Sequence, residues 1–182
     1  MKKSPENILT ELLVISSQRG DEKAINLLVK KWHPKLVRQA YRLTGNKEMA
    51  HDVVQESWQG IIKGLTKLRD PVTFPAWAYQ IVSRRSADWI RKIQRERKNS
   101  DVNQSIIDLT DEEEDPEDKL KVLRRALREL PNEQRVILDL FYLEQQSVKN
   151  ISGILMLPTG TVKSRLFYAR EHLKKIYKNI ET

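Results

Sequence analysis

Apolar residues recur at steps of three and four along most of the chain, a spacing that places them on one face of an α-helix. Within residues 24–43, for example, Leu28, Trp32 and Leu36 follow one another at steps of four. The same spacing predicts helices at 7–19, 24–43, 47–67, 76–98, 119–130 and 132–144, and then a short and a longer helix between 147 and 175. The predicted fold class is therefore all-α.

Glycine and proline mark the predicted ends of these helices. Gly20 ends the first helix and Gly45 ends the second. Pro71 and Pro75 cannot both lie inside one continuous helix, so they predict a loop before the helix at 76–98. Pro34 falls inside the second apolar pattern and predicts a kink rather than an end.

An acidic run separates two groups of predicted helices. It has no basic residue between 108 and 118, and its carboxylates are Asp108, Asp111, Glu112, Glu113, Glu114, Asp115, Glu117 and Asp118. So dense a charge cannot be buried, and the run is interpreted as a linker, either a solvated tether or a segment held by a basic protein surface. The sequence thus predicts two small helical domains, at 1–98 and 119–182, joined by an acidic linker at 99–118.

Composition narrows the function classes. The chain has 182 residues and a formal net charge of +8, which favours a polyanionic partner, either nucleic acid or a membrane surface. It has no cysteine, so disulfides, thiolate metal sites and a cysteine nucleophile are excluded. No apolar run approaches the length of a membrane span and no signal peptide is recognisable, so we expect a cytoplasmic protein without membrane insertion.

The stretch from 147 to 175 resembles two helices joined by a short turn. Ser147 suits the cap of the first helix, and Pro158 and Thr161 suit the start of the second. An apolar stripe on the second helix faces inward and consists of Val162, Leu166, Ala169, Leu173 and Ile176. The opposite side carries Lys163, Ser164, Phe167, Tyr168, Lys174 and Lys175. Such a face can enter a DNA major groove, although an ordinary amphipathic helix with solvated lysines has the same pattern.

Two other helical faces are candidates for chemistry. Glu48, Asp52 and Glu56 step by four along one helix and could form a divalent-metal site, a face for a basic partner or only a solvated surface. A metal-dependent hydrolase is the enzyme hypothesis, but no histidine is placed to act as a base. The helix at 76–98 interleaves aromatic residues with cations, as a surface that stacks unpaired bases does, and core packing of its tryptophans is the alternative.

Several motifs together resemble an extracytoplasmic-function (ECF, group IV) sigma factor of the bacterial sigma-70 family. The segments ALRELPNEQRVIL at 126–138 and GTVKSRLFYAR at 160–170 are similar to domain four of that family. The segments AHDVVQESW at 50–58 and WAYQI at 77–81 are similar to domain two. The resemblance covers almost the full chain, in the order that the family has.

The resemblance implies a transcription initiation factor with no catalytic residues and no cofactor. It implies that Asp52, Gln55 and Glu56 dock on the β′ clamp of core RNA polymerase, with the β subunit as a further contact. It implies a minus-ten DNA site consisting of Phe74, Trp77, Tyr79, Gln80 and Arg84. It implies a minus-thirty-five DNA site consisting of Thr161, Lys163, Ser164, Phe167 and Tyr168. Members of the family are commonly held inactive by an anti-sigma factor, which is a further expected partner.

The chain departs from the family pattern at a few of these positions. Arg84 stands where asparagine is usual, Gln80 and Tyr168 stand where arginine is common, and Asn150 replaces a glutamate. These departures predict altered base preference rather than lost binding. The alternative function is a stand-alone helix-turn-helix regulator that binds duplex DNA without polymerase.

Overall fold

The computed structural model describes residues 5–98 and 118–181, with side chains described at 5–95 and 122–180. The chain divides into two compact units, Met1–Gln104 and Ser105–Thr182. The described part of each unit is built from helices and turns and contains no strand, which confirms the predicted all-α class. The predicted acidic linker lies outside the described residues, apart from Asp118, which begins a helix.

The first unit contains four α-helices in its described part. They are α1 (Pro5–Gln18), α2 (Glu22–Thr44), α3 (Lys47–Leu65) and α4 (Phe74–Lys98), with a 3-10 turn at Pro71–Thr73. The helix ends follow the predicted punctuation. The Asp21 side chain accepts hydrogen bonds from the amides of Lys23 and Ala24 at the start of α2. Gly45, with φ of 68°, ends α2 in the left-handed conformation that glycine adopts without strain.

Two proline positions refine the predicted boundaries. Pro34 lies inside α2, which continues past it to Thr44, so it does not end the helix. The fourth helix begins at Phe74 rather than Ala76, because Pro75 falls in its first turn, where the missing amide proton is not needed for a helical hydrogen bond.

Trp32 lies at the centre of the first unit. It is 4% exposed, and Phe74 and Tyr79 meet its ring edge-on at centroid distances of 5.4 and 5.8 Å. Its indole Nε1 donates to Thr10 Oγ1 at 3.3 Å, which ties α2 to α1. The ring therefore joins α1, α2 and α4 in one core.

The second unit contains α5 (Asp118–Glu129), α6 (Asn132–Leu138), α7 (Val148–Leu155) and α8 (Thr159–Glu181). A π-helical turn at Asp139–Leu143 continues α6. The spacing of Val136, Leu140 and Leu143 would place all three on one face of a continuous α-helix, but only Val136 and Leu140 are buried, and Leu143 is 65% exposed. The wider π turn rotates Leu143 away from the buried face that Val136 and Leu140 share.

Within the described ranges, no helix combines the length and the apolar character needed to span a lipid bilayer.

Candidate nucleic-acid interface

A helix-turn-helix forms from α7 and α8 in the second unit. Ser147 Oγ accepts from the Asn150 amide at 3.1 Å and caps α7, as the sequence predicted. Met156 ends α7 with φ of 55°, and Ser152 Oγ donates to the Leu157 carbonyl at 2.6 Å across the turn. The Pro158 carbonyl accepts from the Val162 amide at 3.0 Å and starts α8. Few residues separate the two helices. Local hydrogen bonds across the turn and at the start of α8 stabilise the connection between them.

The predicted inward stripe of α8 is confirmed at its first half. Val162 and Ala169 are fully buried and Leu166 is 4% exposed, while Leu173 and Ile176 are half-buried. The outward side exposes Lys163 and Ser164, and large apolar surface remains on Phe167 and Tyr168, which are 54% and 65% exposed. Thr161 is half-buried, and its carbonyl accepts from Ser164 Oγ at 3.0 Å. Four of the five predicted minus-thirty-five residues therefore lie on one open face.

Two polar contacts hold α8 against α6, and the sequence patterns did not reveal them. Arg165 Nη1 lies 3.0 Å from Glu133 Oε2. His172 Nδ1 lies 2.8 Å from Gln134 Oε1, two turns further along α8. Neighbouring residues of α6 thus contact two separate turns of α8.

The predicted minus-ten residues divide into two groups. Trp77 and Gln80 are half-buried and Arg84 is exposed on α4. Phe74 and Tyr79, by contrast, are 0% and 1% exposed. Their rings pack against Trp32 in the core, so a base could reach either one only if that packing opened. We correct the sequence-based assignment accordingly, because the aromatic-and-cation pattern did not distinguish core rings from surface rings.

The Trp77 side chain packs against α3 at Gly64. A Cβ atom at Gly64 would lie 2.9 Å from Trp77 Cζ2, closer than real Cβ atoms come to other heavy atoms. The missing side chain at Gly64 lets the indole approach the backbone of α3 closely, and Phe74 lies beside the indole at a ring-centroid distance of 6.2 Å. The ring is therefore held in place while part of it stays open to solvent.

The acidic line of α3 faces outward. Asp52, Gln55 and Glu56 are exposed, and Glu56 Oε2 pairs with Arg85 Nη1 of α4 at 3.2 Å. In the part of the chain that the structure describes, no three histidine, cysteine or acidic side chains approach closely enough to hold a metal ion together. The hydrolase hypothesis, with Glu48 as a third ligand beside Asp52 and Glu56, therefore has no geometric support there.

A histidine pair joins α2 to the same helix. Trp58 Nε1 donates to His33 Nδ1 at 3.3 Å, and the His33 and His51 rings are 6.1 Å apart. Burial lowers the pKa of His33 below 6.5, and the nearby His51 lowers it further. Because His33 Nδ1 accepts a hydrogen bond, its neutral form carries the proton on Nε2.

Comparison with known proteins identifies both units. The model of Sigma-70 region 2 matches residues 28–96, which span most of α2, all of α3 and most of α4. The model of Sigma-70 region 4 matches residues 120–173, which include the helix-turn-helix. The chain belongs to the sigma-70 family. It is a sigma factor of the ECF group, the group that the motifs resembled.

Individual sigma factors resemble the chain over nearly its whole length. The RNA polymerase sigma-H factor of Pseudomonas aeruginosa is 29% identical over 175 residues, covering 90% of this chain and 91% of the relative. The ECF RNA polymerase sigma-E factor of Escherichia coli is 29% identical over 178 residues, covering 91% of this chain and 93% of the relative.

Solved structures share the fold. The sigma factor RpoE of Bartonella quintana, solved with the anti-sigma factor NepR, has a TM-score of 0.69 and 24% identity, covering 86% of this chain and 98% of RpoE. CnrH, solved with the cytosolic domain of CnrY, has a TM-score of 0.60 and 20% identity, covering 94% of this chain and 98% of CnrH.

The match to region 2 decides between the two functions that the sequence left open. A stand-alone helix-turn-helix regulator accounts for region 4 only, whereas a sigma factor accounts for both matched segments. This sigma factor therefore belongs to a class of transcription initiation factors, rather than enzymes, that direct RNA polymerase to promoters.

Proposed function

We propose that this sigma factor docks on core RNA polymerase through α3 and reads the promoter through two separate surfaces, on α4 and α8. The observation that carries the proposal is the division of exposed charge between helices. The α3 face presents Asp52 and Glu56, whereas the α4 and α8 faces present Arg84 and Lys163. An acidic face repels DNA and suits a basic protein surface, and a basic face suits phosphate.

The polymerase-docking surface consists of Asp52, Gln55 and Glu56. All are exposed on one side of α3, whose opposite side is buried through Val53, Ser57 and Ile61. The docking side therefore does not hold the fold together, and a partner can cover it without disturbing the core. The partner that the family resemblance implies is the clamp of the β′ subunit.

The minus-ten surface consists of Trp77, Gln80 and Arg84. These residues follow one another at steps of three and four on α4, so they share one side of the helix. The indole of Trp77 can stack on a base, the Gln80 amide can form hydrogen bonds with base edges, and the Arg84 guanidinium can pair with phosphate. Phe74 and Tyr79 stabilise this surface from beneath, through their contacts with Trp32.

The minus-thirty-five surface consists of Thr161, Lys163, Ser164, Phe167 and Tyr168. They occupy the first half of α8, and recognition helices commonly contact base edges through their N-terminal residues. Lys163 and Ser164 supply hydrogen-bond donors, and the exposed rings of Phe167 and Tyr168 supply apolar contact to thymine methyl groups. Tyr168 cannot make the two-donor contact to guanine that an arginine there would make.

An apolar cleft in the second unit suits a protein partner. It has a volume of about 580 Å³, lies between α5, the π turn and α8, and includes the exposed residues Tyr142 and Leu143. Exposed apolar surface of this kind commonly marks a protein interface. We assign the cleft to the β subunit of the polymerase, and we expect Leu143→Glu to weaken core-enzyme binding without lowering the melting temperature, because Leu143 is 65% exposed.

We also propose that the chain acts in the cytoplasm and is regulated by an anti-sigma factor. RpoE and CnrH, which share its fold, were each solved with another protein bound: the anti-sigma factor NepR and the cytosolic domain of CnrY.

A binding assay tests the proposed function. Core RNA polymerase is titrated with labelled wild-type chain and with Asp52→Arg, which places a cation on the acidic face. Saturable wild-type binding that Asp52→Arg loses supports docking through α3. Equal binding by both proteins would refute that assignment, and no binding by either would refute the proposed function.

A further inference from the structure

Arg85 lies at the border between the polymerase-docking surface and the minus-ten surface. It follows Arg84 directly on α4 and lies roughly 80° around the helix from Trp77 at 100° per residue. Its guanidinium contacts α3 in two ways: Nη1 pairs with Glu56 Oε2 at 3.2 Å, and Nη2 lies 3.5 Å from the point that a Cβ of Gly60 would occupy. The arginine therefore reaches from the DNA-binding helix to the docking helix.

Glu56 consequently has two possible partners. In the free chain its carboxylate lies beside the Arg85 guanidinium and partly neutralises it. The pair is accessible, with side-chain exposures of 38% for Arg85 and 51% for Glu56. An accessible ion pair contributes little free energy, so a cation on a bound protein can replace one partner at small cost.

We propose, building on the proposed function, that Arg85 is a further promoter-binding residue that Glu56 holds in the free chain and that core polymerase releases. When the polymerase engages Glu56, the Arg85 guanidinium becomes available to a phosphate of the strand that Trp77, Gln80 and Arg84 bind. The exchange breaks one ion pair and forms two others, one with the polymerase and one with DNA.

This exchange couples the two binding events. A partner that forms an ion pair with Glu56 raises the affinity of α4 for DNA. By linkage, DNA bound at Arg85 raises the affinity of the chain for the polymerase. The Glu56–Arg85 pair is the only contact needed for the coupling, so no movement of α3 against α4 is required. Because the pair is exposed, we expect an effect of about two- to fivefold on DNA affinity.

The first experiment uses the full chain without polymerase. Its binding to a fluorescein-labelled single-stranded oligothymidylate is measured for wild type, Glu56→Gln, Arg85→Gln and the double variant. We expect Glu56→Gln to raise affinity about two- to fivefold and to steepen the salt dependence by about 0.7, the increment for one more phosphate contact on a single strand. In the Arg85→Gln background the same change should give no such gain.

Asp52→Asn is the matched control for net charge, because it removes another exposed carboxylate from α3 and leaves the Glu56–Arg85 pair intact. A gain from Asp52→Asn as large as that from Glu56→Gln would overturn the proposal. An equal gain from Glu56→Gln with and without Arg85 would overturn it too, as would no gain at all.

The second experiment uses the chain bound to core polymerase and separates this proposal from the proposed function. Arg85→Gln should raise core-enzyme affinity by up to about fivefold, because Glu56 no longer has to leave Arg85 when the polymerase binds. The same variant should lower the affinity of the holoenzyme for the oligothymidylate two- to fivefold. Unchanged holoenzyme affinity would overturn the role of Arg85 and leave polymerase docking intact. Failure of the wild-type chain to bind core polymerase would refute the proposed function and the release step, while the first experiment would still report on the ion pair.

Discussion

The indole of Trp77 lies against Gly64 so closely that a methyl group at that glycine would come within 2.9 Å of the ring. One turn earlier on the same face of α3, a methyl group at Gly60 would meet only the Arg85 guanidinium, at 3.5 Å. The two glycines thus give α3 a narrow side on which α4 packs. A side chain added at Gly64 would meet a rigid ring, whereas one added at Gly60 would meet a flexible guanidinium, so substitutions at the two positions should have different effects.

Gly60→Ala and Gly64→Ala should change stability in opposite directions. Alanine is favoured over glycine inside a helix by roughly 1 kcal/mol, and at Gly60 that gain meets no clash. At Gly64 the new methyl group displaces a rigid ring, so we expect a net loss of about 1 to 3 kcal/mol, as for other overpacked sites. Chemical denaturation measures the free energy of unfolding of both variants. A Gly64→Ala variant more stable than wild type would contradict the close packing of Trp77 against Gly64.

Lys163→Ala should weaken binding to a responsive minus-thirty-five duplex. If the ammonium contacts a base edge, the loss is about 1 to 3 kcal/mol and depends on the base pair it faces. If it contacts phosphate, the slope of log affinity against log salt falls by about 1 for every duplex. Lys175→Ala, which removes an exposed cation three turns further along α8, is the control and should have a smaller effect on binding. Equal losses in the two variants would show that α8 binds by net charge alone.

Asp52→Arg should lower core-enzyme affinity at least tenfold, because it replaces an exposed carboxylate with a cation on a surface proposed to meet a basic partner. Glu22→Arg makes the same change in charge at the start of α2 and should leave affinity within about twofold. Fluorescence anisotropy with labelled chain measures both. If the two variants lose affinity equally, the docking surface is not on α3.

His33 should make the first unit less stable in acid. Its pKa is lowered in the folded state by burial and by His51, so the unfolded chain binds the proton more tightly. The contribution is present above pH 6.5 and is lost as the pH falls from there toward the folded pKa. Protonation also places a hydrogen on His33 Nδ1, which removes the acceptor for Trp58 Nε1.

The variant His51→Gln tests the contribution of His51 to the lowered pKa of His33. Removal of the second imidazole should raise the pKa of His33 partway toward 6.5, because burial, the larger cause, remains. A titration followed by the His33 ring resonances in NMR measures it. An unchanged His33 pKa would show that the neighbouring ring exerts no electrostatic effect.

Much of the fold could be predicted from the sequence because local signals set the helix ends. Asp21, Gly45 and Ser147 act through contacts with residues only a few positions away, and such contacts follow from residue type and order. The π turn is different, since no local signal announced it and it left Leu143 exposed. Its consequence had to be seen in the structure.

The sequence predicted one DNA-binding surface of the candidate site better than the other. The outward face of α8 followed from helical period alone, because the opposite side is apolar. The α4 surface could not be resolved in that way, since Phe74, Trp77 and Tyr79 are all aromatic and only long-range packing decides which ring is buried. The Glu56–Arg85 and Glu133–Arg165 pairs join residues about 30 positions apart, a separation that no periodic pattern reports.

The central claim is that this sigma factor selects start sites for core RNA polymerase. Run-off transcription with purified chain, core enzyme and a library of genomic fragments tests it most directly. We predict discrete transcripts that require the chain, share a promoter sequence and disappear with Asp52→Arg. Transcripts with the same ends and yields whether or not the chain is present, over many templates and with inhibitors absent, would contradict the claim.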